Sequence, residues 1–285
     1  MFKDITLGQY FPTDSPVHRL DPRAKLILLI MYIIAVFLVK ELWVFGFVIA
    51  FMLFMTAMSR VPLSYVLKAI KPMKLLLPIM FLLNLLMIKT GDVLFSWKFI
   101  TVTTGGLKQA LFIVLRLIAL VCGASILTLT TTPISLTEGL EKLLSPLKIV
   151  KFPAHELAMI MTIALRFIPT LLEEAEKIMK AQLARGADLE SGNLIKRAKA
   201  MLPILIPLFV NSFRRAEELA LAMESRCYHG GEGRTRLRVL KFGLRDLWAF
   251  LIMAAFLASV ILMQRFIPLD GRIAGFILGL LGKGA

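Results

Sequence analysis

Five stretches of this chain are apolar almost without interruption, and they constrain the fold more than any other feature. They cover residues 26–39, 42–58, 75–88, 111–129 and 247–263. The whole chain is 58% hydrophobic with a mean hydropathy of +0.79, which is more apolar than soluble domains are. A transmembrane helix needs about 20 residues, so the shorter runs must include flanking residues to cross. The sequence therefore predicts an all-α polytopic membrane protein with about five transmembrane helices.

The net charge of +15 is distributed unevenly along the chain. With a cytoplasmic N-terminus, residues 1–25, 59–74 and 132–245 hold 26 of the 34 Lys and Arg residues on one side of the membrane. Membrane proteins collect basic residues on the cytoplasmic side, so this topology accounts for the charge. It also predicts that Lys40-Glu41 and 89–106 face outward. No basic groove interleaved with aromatic residues is present, and we expect no nucleic-acid partner.

Two further apolar runs, 157–172 and 201–210, are interpreted as parts of cytoplasmic helices instead of spans. The second has only ten residues and contains Pro203 and Pro207. If both runs crossed, the basic segment 173–200 would move outside, against the charge distribution of the rest of the chain.

Residues 153–185 and 194–226 are instead predicted to form two long helices, each apolar in its first half and charged in its second. Asn193 is the predicted cap of the second helix. A shorter amphipathic helix is expected over 133–148, with Pro133 at its first position. The predicted domains are a membrane bundle of four spans, 1–131; a cytoplasmic domain with the two long helices, 132–245; and 246–285, which holds the final span and the C-terminal tail.

The two long helices end in similar ways, with a small residue followed by an arginine. Gly186 follows Arg185 where the first helix should stop, and glycine there adopts the left-handed conformation without steric cost. Arg226 lies at the end of the second helix, 41 residues later. One such ending is an ordinary helix cap with a solvated arginine. Two copies on two projecting helices favour a docking device.

The segments "RFIPTLLEEAEKIMKAQLARGADLESG" (166–192) and "PLFVNSFRRAEELALAMESRCYHGGEGRTRLR" (207–238) carry a family resemblance. Together with "SPVHRLDPRAKL" (15–26), they closely resemble the transmembrane T component of energy-coupling factor transporters. The resemblance covers nearly the whole chain. It implies a non-catalytic subunit in the prokaryotic cell membrane that holds two ATP-binding-cassette ATPases and a small substrate-capture protein, called the S component.

In that family, two Ala-Arg-Gly motifs end the coupling helices and insert into grooves of the two ATPases. The resemblance assigns this role here to Ala184, Arg185 and Gly186, which match the motif fully. It also assigns it to Ser225, Arg226 and Cys227, where the glycine is missing and the geometry of the helix end is left open. The captured substrate, a vitamin or a metal ion, is recognised by the S component. We expect the S component to contact an apolar face formed by Met159, Ile163, Phe167, Leu205 and Phe209, together with the Met-rich second span, 52–58.

Alternative functions have less support in the sequence. A self-sufficient secondary carrier or channel needs polar residues within the spans, and only Arg116, Asn84 and a few Ser and Thr residues are available. We interpret Arg116 as a buried structural charge bonded to Asn84, Gln109 or backbone carbonyls. The chain has no P-loop and no clustered metal ligands, so we predict no ATPase activity, no cofactor and no metal site.

Overall fold

The chain folds into two compact units, and the chain passes from one to the other after residues 8, 132 and 239. One unit comprises Gln9–Thr132 with Leu240–Ala285, and the other comprises Met1–Gly8 with Pro133–Val239. The computed structural model describes residues 10–97, 100–146, 153–187, 193–230 and 242–266. The fold is all-α, as predicted, apart from one short β-hairpin.

The first unit contains all five of the predicted apolar runs, and each run is helical. Its helices are α1 (Pro22–Leu38), α2 (Val44–Ser59), α3 (Leu63–Lys68), α4 (Leu76–Met87), α5 (Thr104–Thr130) and α9 (Leu244–Phe266), with a 3-10 turn at Lys71–Met73. The hairpin lies between α4 and α5 and pairs β1 (Val93–Trp97) with β2 (Ile100–Thr103) in antiparallel register. It falls in the segment 89–106, which we predicted only as an outward-facing connection. Thr103 ends the hairpin and caps α5, because its hydroxyl accepts a hydrogen bond from the Gly106 amide at 3.1 Å.

Helix length gives a different set of candidate spans from the five predicted. Among the described residues, α5, α9 and one helix of the second unit are long and apolar enough to cross a membrane. The helical segments Leu63–Met73 and Leu76–Met87, bent by 61°, provide a fourth crossing if they act as one span. By contrast, α1 and α2 have 17 and 16 residues, at the lower limit for a spanning helix. By length and composition, three or four described segments are therefore candidate spans, and α1 and α2 need flanking residues to cross, as the sequence predicted for the shorter runs.

The core of the first unit forms where α1, α2, α5 and α9 meet. Gly123 of α5 allows the Tyr32 ring of α1 to approach closely, since a Cβ atom on Gly123 would lie 2.2 Å from that ring. The Tyr32 hydroxyl then donates to the Ala119 carbonyl at 3.0 Å, which satisfies a buried polar group. On the other side, Phe51 of α2 stacks on Phe256 of α9 with ring centroids 3.9 Å apart.

The segment 15–26, one of those that carry the resemblance, ties three helix ends together. The Lys25 ammonium donates to the Thr130 carbonyl at 2.8 Å and to the His18 carbonyl at 3.1 Å, which joins the start of α1 to the end of α5. The Asp21 amide donates to the buried Asp246 carboxylate at 2.9 Å, which joins α1 to the start of α9. These residues therefore stabilise the fold of the first unit.

The second unit contains α6 (Pro133–Leu144), α7 (Ala154–Ala184) and α8 (Leu194–Glu224). The two long helices lie within two residues of their predicted bounds. Asn193 precedes α8 in an extended conformation, as a cap residue does, but its side chain makes no capping hydrogen bond with the described residues. The α-helical part of α6 stops at Leu144, and the last residues of its predicted range, 147 and 148, lie outside the described residues.

Candidate functional site

The end of α7 is closed by a complete set of C-terminal hydrogen bonds. The Gly186 amide donates to the Leu183 carbonyl at 2.9 Å, and the Ala187 amide donates to the Gln182 carbonyl at 3.0 Å. Gly186 has φ +84°, the left-handed conformation predicted from the sequence. These two bonds are those of the Schellman motif, which satisfies carbonyls that a helix end otherwise leaves without partners.

The end of α8 has the same geometry, although the glycine is missing. The Cys227 amide donates to the Glu224 carbonyl at 2.8 Å, and the Tyr228 amide donates to the Met223 carbonyl at 3.1 Å. Cys227 takes the position of Gly186 and has φ +53°. The question that the sequence left open is thereby answered, because the departure from glycine leaves the shape of the helix end unchanged.

Both arginines are exposed at these ends. Arg185 and Arg226 each occupy the position just before the left-handed residue, and all six residues of the two motifs are exposed. Neither guanidinium forms a hydrogen bond or ion pair within the part of the chain that the structure describes. A guanidinium is permanently charged and can bind a carboxylate through two parallel hydrogen bonds. Each helix end therefore carries an exposed, planar cation that could bind a carboxylate.

A cysteine in the left-handed region should destabilise the end of α8 relative to glycine by about 1 kcal/mol. We expect Cys227→Gly to remove this cost and to slow amide hydrogen exchange at residues 227 and 228 by about fivefold. Gly186→Ala is the matched reverse change, since a Cβ there would meet no atom within 4 Å and only the backbone is strained. It should speed exchange at residues 186 and 187. Faster exchange in Cys227→Gly would contradict the left-handed assignment.

A polar cluster holds α7 and α8 together near the start of their charged halves. The Glu174 carboxylate lies 2.7 Å from the Arg215 guanidinium, and its other oxygen accepts a hydrogen bond from the Asn211 amide at 2.6 Å. Glu174 precedes Arg185 by 11 residues, and Arg215 precedes Arg226 by 11 residues. At a rise of 1.5 Å per residue, each arginine lies about 16 Å along its helix beyond this contact. The parts of α7 and α8 beyond the Glu174 cluster therefore have equal length, and we call them the two arms.

A second polar contact connects the end of α8 to the other two helices of this unit. His155, at the start of α7, has its Nδ1 atom 2.9 Å from a Glu141 carboxylate oxygen of α6. Its Nε2 atom lies 3.5 Å from the Tyr228 hydroxyl, just beyond the second motif. His155 and Glu141 are largely buried, so this chain of contacts helps to position the end of α8.

The first half of α8 has a continuous exposed apolar face. Leu205 and Phe209, both predicted to meet the S component, are 52% and 66% exposed. Phe209 packs edge-on against Phe213, with ring centroids 4.8 Å apart. The face also includes Leu202, Ile206 and Val210, all about half exposed or more. Apolar faces of this kind mark contacts with a partner or with lipid.

On α7 the exposed apolar side chains differ from the predicted ones. Met159, Ile163 and Phe167 are partly buried. The most exposed apolar residues of the same half are Ile160 and Met161, at 58% and 50%. α6 packs against α7, and His155 in the first turn of α7 contacts Glu141 of α6. α7 is also the third helix that is long and apolar enough to cross a membrane, with a mean hydropathy of 1.4 over its most apolar window.

The polar residues within the predicted spans have local partners. Arg116 donates to the Val39 carbonyl at 2.9 Å and lies over the Phe112 ring at 4.6 Å, in agreement with the predicted bond to a backbone carbonyl. Asn84 donates to the Met80 carbonyl, one turn earlier in its own helix, at 2.8 Å. Within the described ranges no three His, Cys, Asp or Glu side chains are arranged to hold a metal ion.

Comparison with known proteins agrees with the resemblance. A family model described as cobalt transport protein, CbiQ, matches residues 13–237. The chain is 54% identical over 254 residues to the energy-coupling factor transporter transmembrane protein EcfT of Clostridium kluyveri, covering 88% of this chain and 93% of that protein. The protein of the same name from Acidaminococcus fermentans is 50% identical over 268 residues, covering 94% and 100%. That of Bacillus subtilis is 48% identical over 246 residues, covering 86% and 93%.

Proposed function

The chain belongs to the CbiQ family of cobalt transport proteins, among the transmembrane components of energy-coupling factor transporters, and we propose that it couples two ATP-binding-cassette ATPases to a substrate-capture protein. In this proposal the chain is a non-catalytic subunit of the cell membrane. It transmits the work of ATP hydrolysis to uptake of a vitamin or metal ion that the S component binds.

One observation carries this proposal: two long helices end in the same Schellman geometry, each with an exposed arginine that has no partner among the described residues. One ATPase groove would receive Ala184, Arg185 and Gly186, and the other would receive Ser225, Arg226 and Cys227. A carboxylate in each groove could bind the guanidinium in a fixed orientation, because the bidentate pair is planar. A helix end closed by hydrogen bonds is also stiffer than a loop, which suits a joint that transmits force.

The Glu174 cluster gives the two arms a common point of contact. A displacement of either helix end would pass along a continuous helix to this contact and on to the apolar first half. The exposed face of α8, centred on Leu205 and Phe209, lies on that half and would contact the S component. Met159, Ile163 and Phe167 of α7 would extend this surface, with Ile160 and Met161 added because they are more exposed.

The orientation that fits the charge distribution places the N-terminus and residues 132–245 in the cytoplasm. α7 and α8 then lie on the side where ATP is available. Although α7 is long enough to cross the membrane, its second half carries the Glu174 cluster and the first docking motif. We therefore propose that α7 lies along the membrane with its apolar half and projects into the cytoplasm with its charged half.

Purification of the tagged chain from its native membrane tests the proposal directly. We expect two ATPase subunits and one small hydrophobic protein to co-purify, and ATP turnover to disappear when the ATPases are removed. The alternative is a self-sufficient carrier or channel, with Arg116 as the candidate polar residue. Solute uptake into vesicles that contain this chain alone would favour the alternative and reject the coupling role.

A further inference from the structure

A basic cavity lies at one end of the first unit, where α2 ends and α9 begins. Its volume is about 390 Å³, and it is lined by Asp14, Ser15, Pro16, Arg19, Arg60 and Arg245. Three arginines and one aspartate give the lining a net charge of +2. A cavity with this charge attracts an anion.

Two of the three arginines, Arg60 and Arg245, have guanidinium N–H groups without a hydrogen-bond partner among the described residues. Arg19 donates to both carboxylate oxygens of Asp14, with 2.6 Å between Nε and Oδ1. This hydrogen bond is the main reason that the pKa of Asp14 lies below its usual range, so the pair stays ionised and internally neutralised at pH 7. Among the described residues, the Arg60 guanidinium makes one hydrogen bond, to the Asp14 carbonyl at 3.3 Å. Arg245 makes none through its side chain within the described ranges. Arg60 and Arg245 therefore supply the free charge of the cavity.

An apolar groove continues directly from the basic cavity. It has a volume of about 200 Å³, runs between α2 and α9, and shares Pro16 and Arg245 with the cavity. Its walls include Phe54 and Met58 from the last turns of α2 and Trp248 from the first turn of α9. Phe54 and Trp248 are 48% and 66% exposed, although both are large and apolar. Tryptophan near the end of a transmembrane helix, where Trp248 lies in α9, is typical of the boundary between lipid headgroups and hydrocarbon.

We propose that the basic cavity and the apolar groove form one binding site for an anionic phospholipid. The phosphate lies between Arg60 and Arg245, and one acyl chain lies in the groove between α2 and α9. A soluble anion would use the arginines and leave the groove empty, whereas a lipid uses both halves. A headgroup without a cation of its own fits best, because a choline group would lie against two guanidinium ions.

The site can be tested by native mass spectrometry of the full chain in detergent. Dioleoyl phosphatidylglycerol and dioleoyl phosphatidylcholine are added in equal amounts, so that the two lipids differ only in the headgroup. We expect one phosphatidylglycerol molecule to be retained about 30-fold more than phosphatidylcholine, which corresponds to about fivefold for each of two arginines. Equal retention of the two lipids would overturn the proposal. Displacement of the lipid by millimolar glycerol 3-phosphate would also overturn it, because the ligand would then be a soluble phosphate.

Variants of the two arginines locate the site. Arg60→Gln with Arg245→Gln should abolish the preference for phosphatidylglycerol. Arg265→Gln removes one positive charge from the other end of α9 and should leave the preference unchanged, whereas Arg245→Gln alone, which also removes one, should reduce it about fivefold. Arg60→Lys with Arg245→Lys retains the charge and should keep most of the preference. It shows that both positions tolerate substitution, so that a loss in the glutamine variant reflects the lost charge.

A preference that survives in a folded glutamine variant, or one lost equally in Arg265→Gln, would show that the lipid binds elsewhere. Binding of the S component in place of lipid at this groove would likewise overturn the proposal.

Discussion

Replacement of both Arg185 and Arg226 with glutamate should weaken binding to each of the two ATPases by about two to four orders of magnitude. The change places a carboxylate where the partner is expected to offer one. Breaking a charged pair that is buried in an interface costs about 3–5 kcal/mol, which corresponds to this loss of affinity. The isolated chain should stay folded, because both side chains are exposed and have no partner among the described residues.

The double variant is measured by pull-down of the ATPases and by substrate uptake, beside each single variant. Lys177→Glu with Arg214→Glu is the matched control, since it makes the same charge change at exposed positions of the same two helices, short of their ends. Arg→Lys at both motifs keeps the charge but loses the planar guanidinium, which binds a carboxylate in a fixed orientation. It should therefore reduce uptake more than it reduces pull-down of the ATPases. If uptake and pull-down both survive in the double glutamate variant, the arginines are solvated helix caps.

The sequence predicted the long helices well, because their ends have local causes. Pro153 precedes α7 and restricts the backbone conformation at its start. Gly186 follows α7 and permits the left-handed conformation at its end. The left-handed Cys227 had no such signal, since non-glycine residues seldom adopt that conformation. The left-handed conformation of Cys227 is stabilised by the two Schellman hydrogen bonds, which involve residues throughout the last turn of α8.

Contacts between helices were not predictable from one sequence. Glu174 meets Asn211 and Arg215 across 37 and 41 positions, and no periodic pattern links residues so far apart. The link from His155 to Glu141 and Tyr228 is of the same kind.

Periodicity did not predict how exposed each apolar position of α7 is. It marks apolar positions on a helix but does not reveal which of them a neighbouring helix will cover. The packing of α6 against α7, with Glu141 against His155, is a contact of this kind.

Introduction of an aspartate into the exposed apolar face of α8 should weaken binding of the S component without weakening binding of the ATPases. Phe209 is 66% exposed and forms an aromatic pair with Phe213, so it has the character of an anchor in a partner's apolar surface. Loss of the ring and burial of an unpaired carboxylate each cost about 2 kcal/mol or more. Phe209→Asp is therefore expected to weaken binding of the S component more than 100-fold.

The ATPases should stay bound to this variant, because Arg226 lies 17 residues further along α8 and about 25 Å away along the helix. Leu221→Asp is the matched control, since Leu221 is 58% exposed on the charged half of the same helix. It should leave the S component in place. Pull-down of the S component and of the ATPases from the same preparation distinguishes the outcomes. Loss of both partners in Phe209→Asp would mean that the apolar face of α8 stabilises the second unit itself, and retention of both would mean that lipid covers it.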